Sequence, residues 1–91
     1  MEEVERLLRP HLTIPYIITR AKDERLGEMV VLLMEGGNVD EVKTVCEKVL
    51  PRYWQPRRFI ALDHLPLTET GKPARAEAER IANESGAHPH G

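Results

Sequence analysis

Apolar and polar positions follow two different periods along this chain of 91 residues, and the switches between them mark out its elements. From Glu2 to Arg9, Val4, Leu7 and Leu8 fall on one face of a helix, which Pro10 stops or follows. Ile14 to Ala21 predicts a strand, with Pro15 at an edge or starting position. The charged turn Lys22 to Gly27 follows. Met29 to Met34 is an unbroken apolar run, as expected of a strand covered on both faces. The two strands pair most simply as an antiparallel hairpin. Gly36-Gly37 then breaks the chain. Asn38 reads as a helix N-cap, with Glu41 three residues on as its capping-box partner. Val39, Val42, Val45, Cys46, Val49 and Leu50 recur at helical spacing until Pro51. Arg58 to Leu62 is a short strand. Ala74, Ala78, Ile81 and Ala82 line one face of a last helix, with Arg75 and Glu79 spaced to pair outside. The order helix, strand, strand, helix, strand, helix predicts an α+β fold: a small sheet of about three strands flanked by helices. Residues 1–84 form this domain. Residues 85–91, with Gly86, Pro89 and Gly91, read as a flexible tail.

Between the last strand and the last helix lies Leu65-Pro66-Leu67-Thr68-Glu69-Thr70-Gly71-Lys72-Pro73-Ala74-Arg75. Leu65 and Leu67 are suited to anchor its base. Thr68 and Thr70 offer hydroxyls to the turn. Gly71 permits a backbone conformation closed to other residues. Pro73 disfavours helical geometry at Lys72 and suits a first helical position itself. Lys72 is thus expected on a constrained, protruding loop. Two readings follow: an ammonium presented to a phosphate or carboxylate, or an ordinary solvated loop lysine.

Size and charge narrow the field. Ninety-one residues make one domain with a small core, and only Tyr16, Tyr53, Trp54 and Phe59 are aromatic. The net charge of −2, with no basic stripe, argues against a general nucleic-acid binder. The single Cys46 excludes an internal disulfide and fits a reducing compartment. No apolar run reaches membrane-spanning length and no leader is visible, so the expected location is cytoplasmic.

The long-range pattern supplies what local chemistry leaves open. Leu50-Pro51-Arg52-Tyr53-Trp54-Gln55-Pro56, a short strand, then Leu65 to Arg75, resembles the close of adenylate-forming enzymes: L-P-x-Y-x-x-P, strand, L-P-x-T-x-x-G-K-x-x-R. This superfamily holds acyl-CoA synthetases, luciferases and the adenylation domains of peptide synthetases. Asp23-Glu24-Arg25-Leu26-Gly27-Glu28 resembles the family's D-x-x-x-G-E turn, and Glu3-Val4-Glu5 its E-I-E helix start. The resemblance runs from about residue 3 to 82. Within the superfamily, the opening helix, the run Pro15-Tyr16-Ile17-Ile18, and the turn and strand from Asp23 to Leu32 resemble o-succinylbenzoate–CoA ligases of menaquinone biosynthesis most closely.

The resemblance implies the small C-terminal lid of an ATP-dependent acid–CoA ligase. Lys72 would be the catalytic lysine of adenylation, Thr70 and Gly71 would shape its loop, and Arg75 would support the helix surface or domain interface. Arg20, Lys22, Arg25, Arg57 and Arg58 are candidates for CoA phosphates, each set against the simpler reading of a solvated surface cation. ATP and magnesium would be held mainly by a large N-terminal domain, the partner in catalysis, with CoA and a carboxylic acid as co-substrates. That domain and the family's hinge segment lie outside these residues, so no ligase activity is expected of this chain alone. Other lids remain open: fatty-acyl or aryl-CoA ligases and peptide-synthetase adenylation domains. So does a non-catalytic interaction module on the same scaffold. Pro73 departs from the branched apolar residue usual after the motif lysine.

No metal site is expected. His88-Pro89-His90 lacks a completing ligand, and His11 and His64 have no nucleophile at a recognisable spacing. His64 is placed to bond the base of the lysine loop. Cys46, on an apolar helix face, reads as a buried inert thiol. Tyr53 and Trp54 read as core or interface anchors. An exposed Trp54 beside Pro56 would mark the surface that meets the missing domain.

Overall fold

The structure, a computed structural model, describes residues 2–23 and 27–86. Arg25 and residues 87–91 of the expected tail lie outside them, as does the middle of the Asp23–Glu28 turn. The elements run α1 (Glu2–Leu8), β1 (Tyr16–Asp23), β2 (Gly27–Glu35), α2 (Val39–Val49), β3 (Arg58–Leu62) and α3 (Arg75–Gly86), with a single 3-10 turn at Arg52–Trp54. The fold is α+β, and its sheet has three strands in the order β1-β2-β3.

β1 and β2 form the expected antiparallel hairpin, with Tyr16 opposite Met34 and Asp23 opposite Gly27. The ladder takes in Lys22, Asp23 and Gly27, which the sequence had suggested for the turn. It starts at Tyr16 rather than Ile14, because Pro15 has no N–H to give; its carbonyl accepts from Glu35. β3 lies parallel to β2, Val31 opposite Arg58 and Glu35 opposite Leu62, so α2 is the crossover between them.

β2 is the centre of the domain. Val31, Leu32, Leu33 and Met34 are all fully buried, since alternate side chains enter two different cores. On one face, Ile18, Leu32 and Met34 pack with Val4 and Leu8 of α1 and with Val42 and Cys46 of α2. On the other, Ile17, Ala21, Val31 and Leu33 meet Leu65 and the small residues Ala78 and Ala82 of α3. Alanine on α3 lets the helix approach the sheet closely. Asn38 caps α2 as expected, its side-chain oxygen accepting from the backbone N–H of Glu41 at 3.1 Å.

Candidate functional site

The lysine loop is a small hairpin standing off the sheet. Leu67 bridges Pro73 in antiparallel fashion. The Thr68 N–H donates to the Lys72 carbonyl at 2.7 Å, and the Gly71 N–H donates to the Thr68 carbonyl at 2.9 Å. This closes the three-residue loop Glu69-Thr70-Gly71 as a glycine-bulge turn, with Gly71 at φ +84°. A side chain at Gly71 would meet nothing within 4 Å; the backbone alone requires glycine. Hydroxyls finish the turn: Thr68 and Thr70 oxygens lie 3.1 Å apart, and the Lys72 N–H donates to the Thr68 hydroxyl at 3.2 Å.

Two feet hold this hairpin to the domain. At the first, Leu65 is buried in the α3-side core. Its N–H donates to the Glu35 carboxylate at 3.0 Å, at the end of the central strand. Glu35, not the exposed His64, ties the base, a role that no local motif announced. At the second, Arg75 opens α3. Its guanidinium donates to the Ile18 carbonyl at 3.4 Å and lies 3.8 Å from the Glu5 carboxylate. Arg75 therefore binds β1 and α1 instead of pairing with Glu79 on its own helix. The sequence spacing allowed Glu79; only the packing of α3 along the edge strand brings Ile18 and Glu5 near.

Two expectations for the loop change. Leu67 is 51% exposed, so Leu65 alone anchors the base. Pro73 precedes α3 by two residues, because its bridge to Leu67 holds it in extended geometry. The Ala74 N–H is then spent on the Pro66 carbonyl at 2.9 Å.

The result is an exposed Lys72 whose ammonium makes no hydrogen bond or ion pair with any described residue. The cation is held by its backbone, and its tip is unpaired among the described residues. Such a group is available to an anion from outside the domain.

The other basic candidates sit elsewhere. Arg20 lies opposite Val30 on β1, and the Arg57 N–H donates to the Val30 carbonyl from the other side. Arg20 and Arg57 thus flank one strand, roughly 10 Å apart by strand spacing. Lys22 and Arg58 are their neighbours in the same register. All four lie towards the start of β2, whereas Lys72 stands off its far end. Arg20 pairs with Glu28 at 3.3 Å and is exposed, like Lys22 and Arg57. Arg58 is half-buried. Lys22 shares a cavity of about 400 Å³ with Arg75, Glu79 and Asn83, and the Asn83 side chain accepts its N–H at 2.8 Å. Arg57 shares another, of about 290 Å³, with Arg52 and Gln55.

A groove of about 530 Å³ between residues 11–14 and α2 includes His11 but no residue of the lysine loop. Tyr53 is the exposed aromatic, at 76%, with its ring edge-to-face on Trp54. Trp54 itself is half-buried against the α1–α2 core, and Pro56 is buried. Burial pushes the Cys46 thiol up to about 11, with the Glu47 carboxylate adding to the effect. That thiol is a weak nucleophile at neutral pH. Among the described residues no three His, Cys, Asp or Glu side chains converge to hold a metal. None of the described helices is long and apolar enough to cross a membrane.

Residues 17–72 match the AMP-binding enzyme C-terminal domain. The match ends on the exposed lysine. The chain belongs to this family, the C-terminal domains of adenylate-forming enzymes. An uncharacterized acyl-CoA ligase, YhfT, of Bacillus subtilis is 34% identical over 89 residues, which is 92% of this chain and 18% of that protein. The mitochondrial medium-chain acyl-CoA ligase ACSF2 of Danio rerio is 37% identical over 76 residues, 77% of this chain and 12% of that one. A Mycobacterium tuberculosis fatty acyl CoA synthetase superposes on 91% of this chain and 18% of its own with a TM-score of 0.79, at 18% identity. The last shows the fold alone. The chain thus spans less than a fifth of the length of these curated relatives.

Proposed function

We propose that this domain is the catalytic lid of an ATP-dependent acid–CoA ligase, and that Lys72 is its adenylation lysine. In the first half-reaction a carboxylate oxygen attacks the α-phosphorus of ATP and pyrophosphate leaves. Two anions must meet, and charge builds on the phosphoryl oxygens. An ammonium set between them lowers the repulsion and orients the attack. The observation that carries the reading is the Lys72 ammonium, unpaired among the described residues at the tip of a hairpin fixed at both feet. Thr70 and Gly71 shape that tip. Arg75 holds its rear.

The second half-reaction passes the acyl group from AMP to the thiol of CoA. A mobile lid withdraws Lys72 and offers a different surface for this step. Arg20, Lys22, Arg57 and Arg58, at the other end of the sheet, supply cations for CoA phosphates; Arg25 remains a candidate on its sequence position alone. In this reading ATP and magnesium are held mainly by the large domain.

The acid is selected outside this domain. o-Succinylbenzoate rests on the resemblance of the opening helix, Pro15–Ile18 and the Asp23–Leu32 segment. The Danio rerio relative names a medium-chain acyl group instead, and a peptide-synthetase amino acid fits the same lid. The single free cysteine supports the reading of a reducing compartment such as the cytoplasm. The test is reconstitution: the chain, added to the matching large domain, raises acid-dependent ATP–pyrophosphate exchange. No gain at saturating lid counts against the reading.

A further inference from the structure

We propose that Leu67 is the apolar back of the lysine arm, seated on the cleft wall of the large adenylating domain while Lys72 reaches the reacting atoms. The inference rests on the lid reading above. Among the described residues only two large hydrophobic side chains are exposed, Tyr53 and Leu67. Isolated exposed leucines are common and mean little. Leu67 differs by its place. It bridges Pro73, one step from the Thr68–Lys72 pair that closes the turn. Cross-strand pairs alternate between the faces of a ribbon. Thr68 and Lys72 therefore share one face of the arm, and Leu67 and Pro73 the other.

The domain's own core does not need Leu67. Leu65, two residues earlier, is buried and fills the anchoring position against Ala78 and Ala82. The rest of the arm, Thr68, Glu69, Thr70, Gly71 and Lys72, is polar or small and exposed. A ribbon that enters a cleft meets a wall on each face. The lysine face meets phosphate and carboxylate. The opposite face carries a leucine that is half exposed and belongs to neither core of this domain. The occupant follows from the length of chain outside the structure. More than four-fifths of each curated relative lies beyond the matched region, and it must contain the surface that Lys72 enters. Tyr53 sits at the opposite end of β3 and is not part of this patch.

The contact exists only while Lys72 is in the cleft, so its loss should slow one half-reaction and spare the other. The experiment uses the full-length enzyme with Leu67→Met, Leu67→Ala and Leu67→Asp, and Lys72→Ala as reference. Adenylation is followed by pyrophosphate release, and thioester formation from supplied acyl-adenylate. Leu67→Ala should lower kcat/KM for adenylation roughly 5- to 10-fold, the effect of exposing about half a leucine side chain. Leu67→Asp should lower it further, Leu67→Met should stay near wild type, and thioester formation should change less than about twofold in all three. Normal adenylation by Leu67→Asp, with Lys72→Ala impaired, overturns this proposal alone. Equal loss in both half-reactions also overturns it, since the residue is then merely structural. Normal adenylation by Lys72→Ala overturns the lid reading itself. Self-association of wild type that Leu67→Asp abolishes assigns the leucine to a second copy and overturns the proposal too.

Discussion

The carboxylate of Glu35 accepts the backbone N–H of Leu65 at 3.0 Å and so joins the end of the central strand to the first foot of the lysine arm. Both groups are partly buried, so neither recovers full hydration when the other is removed. Glu35→Ala should cost about 1–2 kcal/mol of stability. Glu35→Gln keeps an acceptor and should lose less. Urea denaturation of the 91-residue chain measures both. In the full-length enzyme Glu35→Ala should also slow adenylation a few-fold while leaving thioester formation intact, because it loosens the arm and not the rear of the domain.

The second foot makes a separate prediction. Arg75 meets Glu5 at 3.8 Å on a largely exposed side chain, which is a weak ion pair by itself. Glu5→Gln should therefore change stability by under about 1 kcal/mol. Arg75→Ala should cost more than Glu5→Gln, since it also strips the Ile18 carbonyl of its donor at the sheet edge. A double-mutant cycle on the two residues, read by urea midpoint, separates the contributions; no difference between the two single variants contradicts this geometry.

Two neighbouring glycines should respond differently to alanine. Gly36 and Gly37 both have positive φ, at +70° and +80°. A Cβ at Gly36 meets nothing within 4 Å, whereas one at Gly37 lies 2.9 Å from Ile14 and 3.2 Å from Met34. Gly36→Ala should cost about 1–2 kcal/mol of backbone strain. Gly37→Ala adds a clash with two apolar side chains and should cost more. Equal thermal shifts would contradict the packing described at this corner.

The fold was largely legible, and the reason is physical. The run Met29–Met34 contains no polar residue and lies between Gly27 and Gly36, the pattern of a central strand covered on both faces. The valines of α2 repeat at 3.6, and Asn38 announces its start. The arm was legible as well: Gly71 needs positive φ, and the turn closes around it. What stayed hidden depends on contacts distant in sequence. Glu35 reaches a residue thirty positions away, and Arg75 one fifty-seven away. Neither carries a local period or motif. Leu67 was misread for a related reason. Alternation places Leu65 and Leu67 on one face, but the chain leaves the sheet after Leu65 and takes the second leucine into solvent. Strand ends slipped by two residues where Pro15 lacks a donor and where the hairpin ran on through charged positions.

Cys46 gives the alkaline behaviour. Its thiol is raised from 9.0 to about 11 by burial, so the folded state holds this proton more tightly than the unfolded chain. The stability this contributes is fully present below about pH 9 and is lost as pH rises through about 11. Native protein at pH 8 should react with a thiol reagent far more slowly than urea-unfolded protein. Cys46→Ala should flatten the alkaline fall in stability. Fast native labelling contradicts the burial of this side chain.

Lys72→Ala in the full-length enzyme tests the central claim most directly, with acid-dependent pyrophosphate release and thioester formation from supplied acyl-adenylate measured side by side. Adenylation should fall on the order of 10²–10³-fold, as expected for losing one preorganised charge donor, while the thioester step stays within about twofold of wild type. Retained adenylation, or an equal fall in both steps, would contradict a lysine that acts on the reacting anions.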